Sequence, residues 1–263
     1  MLLAAFVLQA SAAIFAPPLD TPLRVTSDRI EDGRRYSAER LVRFLAEPGG
    51  YRAEVRMRGA ASDTQDLSGA LYEAGFGALA GRLLVFHLDS AGTVVAVDDM
   101  AALWDIFCRR VGEVAAARKS LPPAEAAKLA ERIATPLRAM PAERQRTMLS
   151  SWISALIASE AGEAPGTKTV RVPGTSPFGR PVALEGARTI VRLAGGRLRS
   201  TTRASADVED GARKGHVDYD LTSEIDSRTG LFVTSTLVTR TRSDAGESAR
   251  TTILKVERAA TGE

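Results

Sequence analysis

Residues 51–58 read YRAEVRMR, and this stretch decides the fold class because apolar and charged side chains alternate along it. The apolar positions are Tyr51, Ala53, Val55 and Met57. An alternation with a period of two is typical of a β-strand that has one buried face and one solvated face. The turn-forming residues Pro48-Gly49-Gly50 come directly before it, so the pattern predicts a β-hairpin over Arg34–Met57.

Further strands are predicted on both sides of this hairpin. A second hairpin is expected from Leu83–Leu88 and Thr93–Val97, across the turn at residues 89–92. The stretch Gly59–Gly81 between the two hairpins is rich in glycine and has no clear period. The period of two returns near Thr167 and predicts six more strands: Lys168–Val172, Arg188–Leu193, Arg197–Val208, His216–Ile225, Leu231–Thr241 and Thr251–Glu257.

Between these β-regions the spacing of apolar residues becomes helical. From Asp98 or Asp99 onward, apolar residues recur at i, i+3, i+4 and i+7, which predicts an amphipathic helix. A second helix is expected over Pro123–Thr135, where Pro136 should interrupt it. A third helix should begin at Pro141 and end near Gly162. The Pro- and Gly-rich stretch Ala164–Pro181 is predicted to be a linker or a long loop.

These elements predict an α+β fold that is mainly antiparallel β, in the form of a curved sheet, a half-barrel or a sandwich, with a three-helix insertion. We expect residues 14–263 to form a single β-rich domain, with the helical insertion at about residues 98–162. The order in which the strands pair is left open, because local periodicity defines the faces of a strand and not its neighbours.

The N-terminal residues have the pattern of a secretory signal peptide. Met1–Ala16 contains no charged side chain and includes a short apolar stretch followed by small residues, so cleavage is expected after Ala12 or Ala13. The apolar stretch is too short to span a bilayer, for which about 20 residues are needed. An apolar N-terminal strand or a misassigned start codon would give a similar pattern. We therefore predict a periplasmic or secreted protein with no integral membrane span in its mature chain.

Composition excludes several other classes. A content of 44% hydrophobic and 25% charged residues excludes a low-complexity chain and a multi-span membrane protein. Lys and Arg number 35 against 32 Asp and Glu, a net charge of +3 that is too small to predict a nucleic-acid partner. The single cysteine, Cys108, cannot form an intramolecular disulfide and lies among apolar helix positions, where a core role is expected.

The strongest candidate site is the group His216, Asp218 and Asp220. Alternation along a strand places all three side chains on one face, where a polar ligand or a hard cation could meet them. The same spacing also describes an ordinary solvated strand face. No further metal ligands can be identified, and a chain with two histidines and one cysteine excludes His-rich and Cys-rich zinc sites. We therefore assign no catalytic residue, no metal and no cofactor.

The order of elements resembles that of uncharacterised secreted bacterial β-rich proteins. It runs from an apolar leader through paired strands and an amphipathic helix over Asp98–Val111 to a late antiparallel sheet through Asp226–Gly230. It is also loosely similar to the incomplete β-barrels that carry lipoproteins or lipids across the periplasm. The resemblance implies a non-enzymatic protein that binds a hydrophobic ligand, a lipoprotein or another envelope component. It assigns no functional residue.

Two rival hypotheses remain at this stage. One is a hydrolase or other enzyme with an unmarked site near His216, for which Ser176 would be the nucleophile; the G-x-S-x-G motif that usually marks such a serine is absent. The other is a structural interaction module. An apolar cavity under the helices would favour a carrier, whereas convergence of His216 with a nucleophile in a cleft would favour an enzyme.

Overall fold

The computed structural model describes residues 15–64, 66–117, 119 and 121–260. The predicted cleavage site at Ala12 and Ala13 lies outside the described residues. Most of the rest of the chain is strand, and the bounds of the strands are β1 (Leu23–Glu31), β2 (Arg34–Glu47), β3 (Gly50–Ser62), β4 (Leu83–Asp89), β5 (Val94–Val97), β6 (Gly166–Thr175), β7 (Pro181–Leu193), β8 (Arg197–Asp210), β9 (Arg213–Asp226), β10 (Leu231–Ser243) and β11 (Gly246–Arg258).

All of these strands belong to one antiparallel sheet, in the order β5-β4-β3-β2-β1-β11-β10-β9-β8-β7-β6. Consecutive strands pair with each other in two meanders, β1–β5 and β6–β11, and a helix, α1 (Leu67–Gly77), lies in the connection between β3 and β4. The β1–β11 ladder joins the meanders, with Leu23 opposite Arg258 and Glu31 opposite Arg250. The sheet is curved and unclosed, because β5 and β6 lie at its two ends and do not pair with each other. The predicted β-rich α+β class is confirmed, with one sheet in place of a sandwich.

Four helices accompany the sheet: α1 (Leu67–Gly77), α2 (Met100–Ala117), α3 (Pro123–Arg138) and α4 (Ala142–Ser154). They pack on the face of the sheet to which the buried residues of the strands point, here called the inner face. On β2 these residues are Tyr36, Ala38, Arg40, Val42 and Phe44. Of these, Val42 and Phe44 belong to a large core that also contains Leu103, Trp104 and Cys108 of α2 and Leu149 and Ile153 of α4. Within the described residues, no helix combines the length and the apolar character that crossing a bilayer requires.

Helix α1 lies in the Gly-rich stretch for which the sequence predicted no element. Its N-terminus is capped by Asp66, whose side chain accepts a hydrogen bond from the backbone N–H of Gly69 at 3.1 Å. Gly69, Gly75 and Gly77 lower its intrinsic helix propensity, and burial of Ala70 and Ala74 compensates for this. The helix is therefore stabilised by tertiary packing, which a local pattern does not show.

Three predicted boundaries were wrong. Helix α3 continues through Pro136 and ends two residues later, at Arg138. The proline removes a single backbone hydrogen bond to the preceding turn, so it weakens the helix without ending it at once. Helix α4 ends at Ser154, well before Gly162, and the chain then crosses to the second meander, where Ile157 pairs with Leu231. The predicted linker Ala164–Pro181 contains strand β6, an edge strand that accommodates Pro173 within its length.

Candidate functional site

The predicted group on β9 is only partly brought together. His216, Asp218 and Asp220 share the outer face of the sheet, and the intervening Val217 is buried on the inner face. His216 Nδ1 lies 2.6 Å from an oxygen of Asp207 on β8, and its Nε2 lies 3.1 Å from an oxygen of Asp218. Asp220 pairs instead with Arg203 at 3.1 Å. The structure therefore joins His216 to Asp218 and adds Asp207.

This arrangement favours a charged imidazole. Hydrogen bonds to Asp207 and then Asp218 raise the pKa of His216, so the imidazolium form is stabilised. Both ring nitrogens are engaged by carboxylates, which leaves neither one directed at a substrate. The sequence could not reveal Asp207 as a partner, because the register between β8 and β9 decides which residue lies opposite His216.

Ser176 does not share a cleft with His216. Its hydroxyl accepts a hydrogen bond from the backbone N–H of Arg180 at 3.1 Å and so stabilises the β6–β7 turn. The next residue, Pro177, lies over Gly215, at which an added Cβ would come within 2.6 Å of the Pro177 ring. Gly215 precedes His216 on β9 and therefore faces the inner side of the sheet. The sheet thus lies between this loop and the imidazole.

The second histidine has the same environment as the first. His87 Nδ1 lies 2.8 Å from an oxygen of Glu47, and its Nε2 lies 2.9 Å from an oxygen of Asp98. Hydrogen bonds to Glu47 and Asp98 raise its pKa. His87 connects the end of β2 with the turn that precedes α2. No cluster of three or more His, Cys, Asp and Glu side chains suited to a metal ion occurs in the described part of the chain.

Cys108 occupies the core position that the helical pattern predicted. The residue is fully buried, and burial raises the pKa of its thiol. A raised thiol pKa and the lack of solvent access both oppose reactivity.

A mainly apolar cavity lies between three helices. Helices α1, α2 and α4 surround a cavity of about 250 Å³, here called the helix cavity. Its lining is mainly aromatic and consists of Tyr72, Gly75, Phe76, Trp104, Phe107, Met148, Leu149, Ser151 and Trp152. Trp104 stacks on Phe107 with ring centroids 5.2 Å apart, and Phe76 lies 6.2 Å from Trp152. Met148 is 43% exposed, so the rim of the cavity reaches the surface.

A guanidinium lies beside Tyr72, one of the residues that line the helix cavity. Tyr72 contacts Tyr36 of β2 at a centroid distance of 5.1 Å, and the guanidinium of Arg29 lies 5.6 Å from the Tyr72 ring. Burial raises the pKa of the Tyr72 phenol, so the phenol stays neutral, while a hydrogen bond to Ser27 and the charges of Arg29 and Arg40 act in the opposite direction.

Sequence reasoning missed the helix cavity because α1, which supplies one of its walls, was not predicted. Tyr72 and Phe76 are four residues apart and therefore lie on one side of a helix, a signal that could have been recognised. No protein-family model matches this chain, and no curated protein matches it either.

Proposed function

We propose that this chain is an exported, non-enzymatic protein that binds a hydrophobic ligand, or the acyl part of an envelope component, in the helix cavity. The observation that carries the proposal is the aromatic lining that α1, α2 and α4 contribute together. Binding pockets for apolar ligands are concave and lined mainly by hydrophobic and aromatic side chains, with few polar groups. The engaged nitrogens of both histidines and the separation of Ser176 from His216 count against the hydrolase alternative.

Export is the second part of the proposal and depends on the N-terminal pattern. The segment that would begin the mature chain is held in the fold near the predicted cleavage site. Phe15 packs edge-on against Phe44 and Tyr51, and the Tyr51 hydroxyl donates to the Phe15 carbonyl at 3.1 Å. The N–H of Ala16 donates to the carbonyl of Thr229 at 3.0 Å. These contacts support a folded domain that includes Phe15 and Ala16, directly after the predicted cleavage site.

Filling the helix cavity tests the binding function. Gly75 lines the cavity, and an added Cβ would lie 3.6 Å from Phe107, an ordinary contact. Gly75→Leu should therefore place its side chain in the cavity. The affinity for dodecanol, measured by displacement of the dye N-phenyl-1-naphthylamine, should fall about tenfold, equivalent to about 1.4 kcal/mol. Replacing glycine by leucine also favours the helix, so the variant should fold.

The matched control is Gly77→Leu, two residues further along α1. Gly77 is exposed and an added Cβ would have no neighbour within 4 Å, so dodecanol should displace the dye from this variant as from the wild type. Equal binding by Gly75→Leu and Gly77→Leu would exclude the helix cavity as the binding site.

Native mass spectrometry of the protein from a Gram-negative envelope fraction tests export. We expect a chain that starts at Ala13 or Ile14, and an uncleaved chain would contradict the proposal.

A further inference from the structure

Arg40 is a cation inside the core. It lies on the inner face of β2 and is only 3% exposed. Its cross-strand neighbours, Val25 on β1 and Met57 on β3, are both buried and apolar. Burial lowers the pKa of Arg40 to about 10, so the guanidinium remains charged at neutral pH.

No anion neutralises this charge among the described residues. The structure gives the Arg40 guanidinium neither a hydrogen bond nor an ion pair there, and its Nε is buried without a partner. Arg43, three residues further along β2, shows the ordinary situation: it points to the outer face and bonds to Glu54. Burying an unpaired charge is costly, because the protein interior replaces water poorly as a solvent for ions. Arg40 therefore has capacity for an anionic ligand.

Tyr72 connects this charge to the helix cavity. The Tyr72 ring lines the cavity, and the guanidinium of Arg29 lies 5.6 Å from its centroid. Burial raises the pKa of the Tyr72 phenol, and the charge of Arg40 acts to lower it. Arg29 forms an ion pair with Glu31, in which Nη2 lies 3.4 Å from Oε2. The Nε of Arg29 is buried without a hydrogen-bond partner among the described residues. Tyr72, Phe76 and Trp152 form a series of ring contacts that leads from the two guanidinium groups along the apolar lining.

We propose that the helix cavity takes an anionic amphiphile, an alkyl chain that ends in a carboxylate, with the carboxylate held at the Tyr72 end by Arg40 and Arg29. This inference deepens the proposed function and rests on it. A carboxylate fits because its two oxygens match the planar donor geometry of a guanidinium. The cost of removing Arg40 from water has already been met on folding, so the ligand meets a prearranged charge.

The experiment compares three ligands with the same alkyl chain on the full chain. Displacement of N-phenyl-1-naphthylamine by dodecanoate, dodecanol and dodecylamine is measured for the wild type, Arg40→Leu and Arg43→Leu. The wild type should bind dodecanoate about tenfold more tightly than dodecanol, a difference of about 1.4 kcal/mol, and dodecylamine more weakly than dodecanol. Arg40→Leu should fold, because an apolar residue replaces an unpaired buried charge.

The preference for dodecanoate over dodecanol tests the role of Arg40. In Arg40→Leu the preference for dodecanoate should disappear while dodecanol binding stays the same, and in Arg43→Leu the preference should remain. If Arg40→Leu keeps the preference, or if the wild type binds the acid and the alcohol equally, the Arg40 inference is wrong and the hydrophobic-ligand function stands. If none of the three ligands displaces the dye, both proposals fail.

Discussion

Each histidine of this chain bridges two carboxylates on the outer face of the sheet. His87 lies between Glu47 and Asp98, and His216 lies between Asp207 and Asp218. Cations also flank them: Arg52 is the cross-strand neighbour of His87, and Arg242 is that of His216. The net effect at both positions is a raised pKa, so the folded state binds protons more tightly than the unfolded chain.

Stability should therefore fall as pH rises from near neutral. A histidine whose folded pKa is raised stabilises the fold fully below the unfolded value of 6.5, and this contribution is lost as pH rises through the folded pKa. Chemical denaturation at a series of pH values should show a decrease in unfolding free energy above pH 6.5. The double variant His87→Gln, His216→Gln should flatten this slope, and an unchanged slope would contradict the assignment.

Sequence alone placed His216 and Asp218 on one face but did not identify Asp207 as the second partner of the imidazole. The alternation along β9 correctly placed Asp218 beside it, because residues i and i+2 of a strand share a face. It also grouped Asp220 with them, although the cross-strand ion pair with Arg203 directs that carboxylate elsewhere. The pairing of Asp207 with His216 and the apolar surroundings of Arg40 both depend on which strands are neighbours in the sheet. The periodicity of a single strand carries no such information.

Helices α2 and α3 approach each other closely at Gly112. A Cβ added there would lie 2.4 Å from the carbonyl oxygen of Ala130, which belongs to the backbone of α3 and cannot rotate away. The indole N–H of Trp104 also donates to the carbonyl of Leu137 at 2.9 Å. These two contacts hold α3 against α2, the helix that supplies Trp104 and Phe107 to the helix cavity.

Gly112→Ala should destabilise the protein even though alanine is the better helix former. Overpacking at a backbone contact costs about 1–3 kcal/mol, which exceeds the gain of about 1 kcal/mol from helix propensity. The free energy of unfolding from urea titration measures the difference. Gly77→Ala is the control, because nothing lies within 4 Å of the added Cβ, and it should leave stability equal or higher. A stabilised Gly112→Ala would show that the helices can move apart freely.

Helices with a strong apolar stripe were predictable and α1 was not. Helix α2 was recognised because its apolar residues recur with helical spacing, and the structure places it at Met100–Ala117. In α1 the helical spacing is obscured by three glycines, and its stability depends on packing against β2 and β3. Strand β1 was missed for a related reason: six of its nine residues are charged or polar without regular alternation, namely Arg24, Thr26, Ser27, Asp28, Arg29 and Glu31.

At the scale of the whole molecule, one ladder joins the two meanders of the sheet. Every other strand pairing connects neighbours in sequence, whereas β1 and β11 lie at opposite ends of the chain. Lys255 is an exposed residue in the middle of this ladder, with Thr26 of β1 on one side and Thr234 of β10 on the other. The β1–β11 pairing was beyond sequence reasoning, because no turn between the two strands specifies it.

Lys255→Pro should uncouple the two meanders. Proline removes a ladder hydrogen bond from a central strand and leaves its acceptor unpaired, at a cost of about 2 kcal/mol or more. The two tryptophans, Trp104 and Trp152, both lie in the helices, so their fluorescence reports on that part, whereas far-UV circular dichroism reports on the whole sheet. The two transitions should coincide in the wild type and in the Lys255→Ala control and separate in Lys255→Pro. Coincident transitions in all three proteins would exclude the uncoupling.

The β1–β11 ladder also sets the order in which the fold can be completed during biosynthesis. β1 leaves the ribosome before the other strands, and β2 can pair with one of its edges soon afterwards. The other edge must wait until Arg258 has emerged, because its partner is β11, which follows all the other described strands in sequence. The nascent chain therefore cannot complete this ladder before β11 has been made. Under the export that we propose, this delay would keep the polypeptide unfolded for translocation.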